Sequence, residues 1–351
     1  MKTLLSKILL TVVGCIILMS CTKETQVNDI DRMINISLSL SISGTAYTKD
    51  VDNRNTSLDY STELQNRVND LYILLVDKNG KFTYLVDELT VQNNNNTLYE
   101  GSIIRPEAGS VLVLMANLNQ QNLGGNSSTI TWLESFIGQD IKNLYDAAIF
   151  SNNSGIWELA DRSIPMWGKV EIGTPVGGKV YLTCDLYKAL AKINIWINDK
   201  QGIEGFAVNK VVVRNSLDKG YCVSQSTLSP DANIQYQTPY VPTNVANRST
   251  DAEYTGLNVT DAFSDAIYVV EQSNSSTDTN AIEVDVHYTI DGNQGVGTIA
   301  FKDDNGNLFD VVRNHSYIFN ITKVSGTETS VSLIYDVVDY YDIHKINIGF
   351  N

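Results

Sequence analysis

The chain contains three histidines, which are its candidates for proton transfer near neutral pH. His287, His315 and His344 each lie in or beside a predicted strand, far from one another in the sequence. Sequence distance alone does not exclude a catalytic triad, but neither a nucleophile elbow nor a metal-binding helix accompanies them. We therefore interpret them as structural histidines, and expect no catalytic residue and no enzyme activity.

An acidic segment and three glycines could hold a cation or a phosphate. Residues 303–307, D-D-N-G-N, superficially resemble a calcium loop, but aligning Gly306 with the glycine of such a loop puts Phe301 at the first ligand position. A hairpin turn explains the segment better. Gly292, Gly295 and Gly297 lack phosphate-loop spacing and lie between predicted strands. The sequence predicts neither a metal site nor a cofactor.

Cys21 is the cysteine with the most distinctive surroundings. It ends the stretch MKTLLSKILLTVVGCIILMSC, in which two lysines precede an apolar run from Ile8 to Met19. This pattern is typical of an export signal rather than of a transmembrane helix. It resembles a bacterial lipoprotein signal, residues 1–20, after which Cys21 becomes the diacylated N-terminus, although Met19 departs from the usual small residue. An ordinary secretory signal is the alternative, and either signal takes the chain out of the cytoplasm.

Two cysteines, Cys184 and Cys222, remain after Cys15 leaves with the signal and Cys21 is lipidated. Their spacing matches no zinc pattern. In an oxidising compartment they could form one disulfide, or they could be two separate buried thiols. The sequence leaves both alternatives open.

The formal net charge is −15, and it falls to about −17 when Lys2 and Lys7 leave with the signal. Such a charge argues against DNA, RNA or anionic lipid as an electrostatic partner. It is compatible with a soluble surface protein. No second run of about twenty apolar residues is present, so we expect membrane attachment through lipid alone.

The length of 351 residues suggests two domains. Strand patterns separated by turn residues indicate a mainly β protein with two β-sandwich-like domains in series and one or two short helices in the first. We predict a tether and N-terminal strand over 21–54, an N-terminal domain over 55–184 and a C-terminal domain over 185–351. A helix is predicted over Trp132–Phe150, and the run from Ser110 to Asn117 predicts a strand buried on both faces.

The first predicted strand, Met33 to Ser43, has the clearest pattern in the chain. Its apolar side chains alternate strictly with Asn and Ser, which predicts one buried and one solvent-facing side. The apolar positions are Ile34, Ile36, Leu38, Leu40 and Ile42. A polar stretch, residues 44–63, follows and is predicted to be an exposed loop.

Five short segments occur in an order that resembles the FimA and Mfa-like fimbrial proteins of the Bacteroidetes, over essentially the whole chain. They are Val111–Asn117, Ile164–Gly168, Ala189–Ile195, Ile267–Glu271 and Arg313–Tyr317. The resemblance implies two transthyretin-like sandwich domains, and assembly with other fimbrial subunits by strand exchange after proteolysis at an arginine. It also implies an outer-membrane lipoprotein precursor and a cell-surface fimbria.

The resemblance makes residues 34–42 a removable strand. Cleavage at Arg32 would precede the strand and free nothing, whereas Arg54 follows it in the polar stretch and Arg67 adjoins the next apolar strand. We expect cleavage between Arg54 and Asn55. The alternative is an uncut loop, because anchor subunits of this family retain their N-terminus.

The C-terminal segment, 331–351, is the candidate donor strand. Ile346, Ile348 and Phe350 alternate with small or polar residues and would offer one apolar face to a neighbour's groove. The alternative is that 331–338 and 343–351 complete the chain's own C-terminal sheet.

The preferred interpretation is a structural shaft subunit that supports adhesion. An anchor or tip subunit of the same fimbria is the nearest alternative. A monomeric glycan-binding surface lipoprotein, using some of the eighteen tyrosines, is an alternative of a different class.

Overall fold

The computed structural model describes residues 33–42, 66–94, 96–152, 155–159, 161–173, 178–197, 205–223, 242, 251–259, 262–274, 280–290, 292–302, 308, 310–314, 316–327 and 330–339. The described chain is mainly β, with β-sandwich-like packing in both halves, as the sequence predicts.

The strands of the N-terminal half are β1 (Met33–Ile42), β2 (Leu71–Val76), β3 (Phe82–Val86), β4 (Thr90–Val91), β5 (Leu98–Ile104), β6 (Val111–Ala116), β7 (Ile149–Ser151), β8 (Met166–Glu171) and β9 (Lys179–Lys188). All of these except β7 form one eight-stranded sheet, in the order β3-β2-β6-β8-β9-β1-β5-β4. β8 and β9 pair only at Met166–Lys188 and Trp167–Tyr187, which makes this contact the corner of the sheet.

The two parts of this sheet share one core, which we call the N-terminal core. It includes the inward side chains of β1, Ile103 of β5 and Val180 of β9, packed with Ile73 of β2 and Leu112 of β6. Side chains from both sides of the corner therefore meet, as in a sandwich.

β6 is buried on both faces, as its continuous apolar run predicts. Leu112 and Leu114 lie in the N-terminal core, whereas Val113 and Met115 lie in a second cluster. That cluster also contains side chains of two helices, α1 (Thr129–Glu134) and α2 (Ile141–Ala147).

The prediction of short helices in this half is confirmed, but the prediction of one helix over Trp132–Phe150 is wrong. The first helix ends at Glu134, and Gly138, between the two helices, has φ +87°, a left-handed conformation that a continuous helix does not allow. The side chain of Asp140 then accepts a hydrogen bond from the Lys142 N–H and caps α2. Beyond α2 the chain enters β7.

The strands of the C-terminal half are β10 (Leu190–Ile197), β11 (Ala207–Arg214), β12 (Lys219–Tyr221), β13 (Ala252–Val259), β14 (Ala262–Val270), β15 (Glu283–Ile290), β16 (Asn293–Ala300), β17 (Ser316–Thr327) and β18 (Ser330–Asp339). All of these except β12 form two four-stranded sheets, in the orders β14-β10-β17-β18 and β13-β11-β15-β16. Ile193, Ile267 and Phe319 of the first sheet pack against residues such as Val211 and Val286 of the second.

The two halves meet through a shared apolar cluster, which we call the junction cluster. It unites Leu74, Trp167 and the helices of the N-terminal half with Leu190, Cys222 and Val270 of the C-terminal half. β7 also pairs with β12, so that a strand from each half completes a small sheet. The chain passes from one set of sheets to the next at Ala189, and the domain limits given above remain predictions.

A buried ion pair supports the C-terminal side of this junction. The Arg313 Nε donates to Glu271 Oε1 at 2.7 Å, and Arg313 also donates to the Tyr221 carbonyl oxygen at 2.9 Å. The two charged side chains are only 3% and 2% exposed. Arg313 thereby connects β12 to the end of β14.

Candidate functional site

β1 lies inside the N-terminal sheet, with a neighbour on either side. It pairs antiparallel with β5 from Met33–Ile104 to Ser39–Leu98, and parallel with β9 from Asn35–Lys179 to Ile42–Leu186. Both backbone edges of β1 are therefore occupied. Without β1, β5 and β9 would border an open groove with two unpaired edges.

The inward side of β1 fills this groove with apolar side chains. Ile36 and Leu38 are fully buried, and Ile34, Leu40 and Ile42 are 6%, 6% and 9% exposed. All five belong to the N-terminal core. β1 is thus an integral part of the core, at the positions where the period-two pattern predicts burial.

The outward side of β1 makes polar contacts with β5, and β9 reaches the same group of side chains through Lys179. Ser102 of β5 donates a hydrogen bond to Asn35 at 2.7 Å, and Ser37 donates to Glu100 Oε1 at 3.0 Å. Lys179 of β9 contacts the same Glu100 oxygen, with an N–O distance of 2.6 Å. Hydrogen bonds from Lys179 and then Ser37 hold the pKa of the Glu100 carboxyl below its usual value. No local pattern in the sequence marks Glu100 or Lys179, which are 79 residues apart.

Gly101 lets the β5 wall approach a neighbouring segment closely. It lies opposite Ile36 of β1. A β carbon at this position would lie 2.2 Å from the Glu88 carbonyl oxygen. Only glycine fits this part of the wall without a backbone shift.

The chain that resumes after β1 is fixed at Arg67. The buried Asn117 has φ 61° and donates from its amide to the carbonyl oxygens of Arg67 and Ile164, both at 2.8 Å. Asn117 Oδ1 accepts from the Asn69 N–H at 2.8 Å, and Val68 is 3% exposed. The Arg67–Val68 bond is therefore held by the domain, although the Arg67 side chain is exposed.

Several predicted positions fall outside the described residues. These are Cys21, Arg32, Arg54, Asn55, His315, His344, Ile346, Ile348, Phe350 and the 303–307 segment. The roles assigned to them stay predictions.

The first part of the candidate donor segment lies in the chain's own sheet. β18 pairs antiparallel with β17, from Tyr317–Asp339 to Thr327–Ser330. Within the predicted segment 331–351, residues 331–338 therefore belong to β18. Residues 340–351 lie outside the description.

The described cysteines and the described histidine lie apart from one another in the fold. Cys184 and Cys222 are buried free thiols in different clusters. His287 is a half-buried residue of β15, opposite Lys210 and Val296. Within the described ranges, no three His, Cys, Asp or Glu side chains come together as metal ligands, and no helix has the length and apolar character needed to span a membrane.

The five segments that carry the fimbrial resemblance are neighbours in the fold. Val111–Asn117 pairs with Ile164–Gly168 through β6 and β8, and β10 pairs with both β14 and β17. The Ala189 N–H donates to the Pro165 carbonyl oxygen at 2.9 Å and thereby joins the two groups of segments. The five segments therefore lie together where the two halves of the chain meet.

A family model described as fimbrillin-A associated anchor proteins Mfa1 and Mfa2 matches residues 28–340. The chain belongs to this family. The family-level resemblance found from the sequence is thereby confirmed. No curated protein matches the chain.

Solved structures show the same fold as this Mfa1/Mfa2-family chain. One is the tip fimbrial protein Mfa3 from Porphyromonas gingivalis with a C-terminal truncation, at 12% identity and TM-score 0.56, covering 88% of this chain and 99% of that one. Another is a candidate cell adhesion protein from Parabacteroides distasonis, at 14% identity and TM-score 0.50, covering 87% of this chain and 96% of that one. At these identities the likeness concerns the fold alone.

Proposed function

We propose that this protein is a subunit of a cell-surface fimbria that supports adhesion and is exported as a lipoprotein acylated on Cys21. In this proposal β1 fills the acceptor groove until proteolysis between Arg54 and Asn55 releases it. A strand from another subunit then takes its place, and residues 346–350 serve the next subunit in the same way. The position of β1 between β5 and β9, with five buried apolar side chains, carries the proposal.

The peptide link between β1 and the rest of its domain explains why exchange with another strand needs proteolysis. Five buried β1 side chains contribute about 8 to 15 kcal/mol, whereas Ile346, Ile348 and Phe350 would contribute about 5 to 9 kcal/mol, before ordering costs. An attached β1 also has a high effective concentration at its own groove. Exchange therefore requires that β1 be separated from the domain.

The fixed position of Arg67 supports Arg54 as the cleavage site. A protease needs several residues of accessible extended chain, but the Arg67 carbonyl is bonded by Asn117 and Val68 is buried. Arg54 lies 13 residues earlier in a polar stretch of the sequence. Cleavage there would leave the Asn117 contacts intact.

Intact mass and N-terminal sequencing of protein sheared from the cell surface would test the proposal. A chain that begins at Asn55 is the expected result. A chain that still carries lipid on Cys21 would contradict cleavage of this protein.

An anchor or terminal role is the second candidate, favoured by the description of the matching family as anchor proteins. A subunit that keeps β1 has no open groove and cannot accept a neighbour's strand, so it can only occupy an end of a filament. The same measurement separates the two roles, because an anchor retains Cys21 and β1.

A further inference from the structure

Ser37 differs from the other polar residues on the outward side of β1. Asn35, Ser39 and Ser41 are exposed, whereas Ser37 is half-buried. Its hydroxyl contacts the ion pair between Glu100 and Lys179, which lie on the two strands that flank β1. We call this ion pair, together with the hydrogen bond that Ser37 donates to Glu100, the clasp.

The clasp joins the two walls of the groove over the strand that lies in it. Glu100 of β5 is opposite Ser37, and Lys179 of β9 is opposite Asn35, so the ion pair crosses β1 diagonally. Glu100 Oε1 accepts from both Ser37 and Lys179, at 3.0 and 2.6 Å. The Lys179 ammonium also lies 5.5 Å from the centre of the Tyr181 ring. Both charged side chains are partly covered, at 30% and 38% exposure.

This arrangement constrains the occupant of the groove at one position. A small side chain with an O–H or N–H group fits beneath the clasp and donates to the carboxylate. A branched apolar side chain of the same size removes that donor and places a methyl group against a charged oxygen. A long or aromatic side chain has to displace the ion pair.

We propose that the clasp selects the strand that enters the groove by requiring a small hydrogen-bond donor at the position of Ser37. This inference rests on the proposed strand exchange and names its preferred partner, a second copy of this chain. If Ile346, Ile348 and Phe350 replace Ile36, Leu38 and Leu40, then Asn347 takes the position of Ser37. Its amide supplies the N–H donor.

The test compares threonine with valine, which have nearly the same shape but differ in a hydroxyl. The full chain is cut between β1 and β2 and mixed with peptides of residues 33–42 that carry Ser37→Thr, Ser37→Val, Ser39→Thr or Ser39→Val. Native mass spectrometry measures how much of each peptide occupies the groove. We expect Ser37→Thr to bind at least fivefold more tightly than Ser37→Val, and the two Ser39 peptides to agree within twofold.

An acceptor without the clasp provides the second control. In protein with Glu100→Leu and Lys179→Met, the preference at position 37 should fall below twofold. Equal binding of the two position-37 peptides to the unaltered acceptor would overturn the proposal that the clasp selects the strand. A preference for threonine that persists in the acceptor without the clasp would overturn it as well.

A measurement on the uncut chain separates the clasp from strand exchange. If even the unaltered peptide fails to enter the groove, the proposed strand exchange is wrong. Urea unfolding of the full chain with the same four substitutions then tests whether the clasp requires a hydrogen-bond donor at position 37. The unfolding constants of Ser37→Thr and Ser37→Val should then differ at least fivefold, with the Ser39 pair within twofold. Equal constants at position 37 would overturn the clasp.

Discussion

Leu40 lies opposite Cys184 in the parallel ladder between β1 and β9, and both side chains are buried in the N-terminal core. Cys222 lies in the junction cluster, to which β1 does not contribute. Burial raises the pKa of each thiol to about 12. The thiolate is the reactive form, so neither cysteine should react readily at pH 8 while the fold is intact.

Removal of β1 should expose Cys184 and leave Cys222 protected. We expect iodoacetamide labelling of Cys184 at pH 8 to rise at least tenfold after proteolysis and release of β1, because the side chains that cover it have left. Labelling of Cys222 should change less than twofold, as measured by mass spectrometry of the peptides. Protection of Cys184 after β1 has left, or parallel labelling of both thiols, would contradict this prediction.

Gly168→Ala should destabilise the corner between β8 and β9. A β carbon at Gly168 would lie 2.3 Å from the Asp185 carbonyl oxygen and 2.8 Å from the Cys184 sulfur. We expect a loss of about 2 to 3 kcal/mol in urea unfolding, because backbone must move to make room. Gly173→Ala is the matched control, since a β carbon there meets no atom within 4 Å. Equal stability of the two variants would show that the corner is not closely packed.

The buried pair of Arg313 and Glu271 should tolerate joint replacement better than loss of one partner. Arg313→Met leaves the Glu271 carboxylate buried without its cation, which should cost about 3 to 5 kcal/mol. Adding Glu271→Leu should restore part of that stability, because no buried charge remains.

An exposed ion pair serves as the control for this experiment. Lys142 and Asp146 are 48% and 42% exposed, and Asp146→Ala should change the unfolding free energy by about 0.5 kcal/mol or less. If Arg313→Met has an equally small effect, the buried pair does not stabilise the junction.

The contribution of Glu100 to stability should depend on pH. Its pKa in the folded chain is held below the ordinary 4.5 by Lys179 and Ser37. A lowered carboxyl pKa contributes stability above the unfolded value, and that contribution disappears as the pH falls through the folded value. The stability difference between the native chain and Glu100→Gln should therefore shrink between pH 6 and pH 3, as measured by urea unfolding.

The lysine partner gives the control for the pH effect. In the Glu100→Gln background, Lys179→Met should add no further pH dependence over that range, because the titrating carboxyl is already absent. A Glu100→Gln difference that stays constant from pH 6 to pH 3 would contradict the prediction.

The sequence predicts β1 and β6 well because their patterns are local. Strict alternation specifies one buried face for Ile34 to Ile42, and a continuous apolar run specifies two for β6. Turns are local as well: Gly292 follows Asp291 in the sequence, a dipeptide typical of tight turns, and with φ +86° it closes the β15–β16 hairpin. These features need no knowledge of distant residues.

The features that could not be predicted depend on contacts between distant residues. Asn117 bonds Arg67 and Ile164, which are 50 and 47 positions away, and no local pattern marks it. The groove walls are set by pairings of β1 with β5 and β9, so Glu100 and Lys179 become recognisable only in the fold. The error in the helix prediction has a local cause, because the apolar stripe continues across Gly138 and Asp140, where the helix is interrupted.

The passage from β9 to β10 through Ala189 gives the molecule a direct route for tension. Force applied to a strand in the groove passes along β9 into β10, and from there into β17, with which β10 pairs in parallel from Lys192–Ser316 to Ile197–Ile321. Evenly spaced hydrogen bonds of a parallel ladder loaded along its length share the pull together instead of opening one after another. The described strands of the other C-terminal sheet, such as β11 and β15, lie between β10 and β17 in the sequence. They are bypassed by this route and would be spared from stretching.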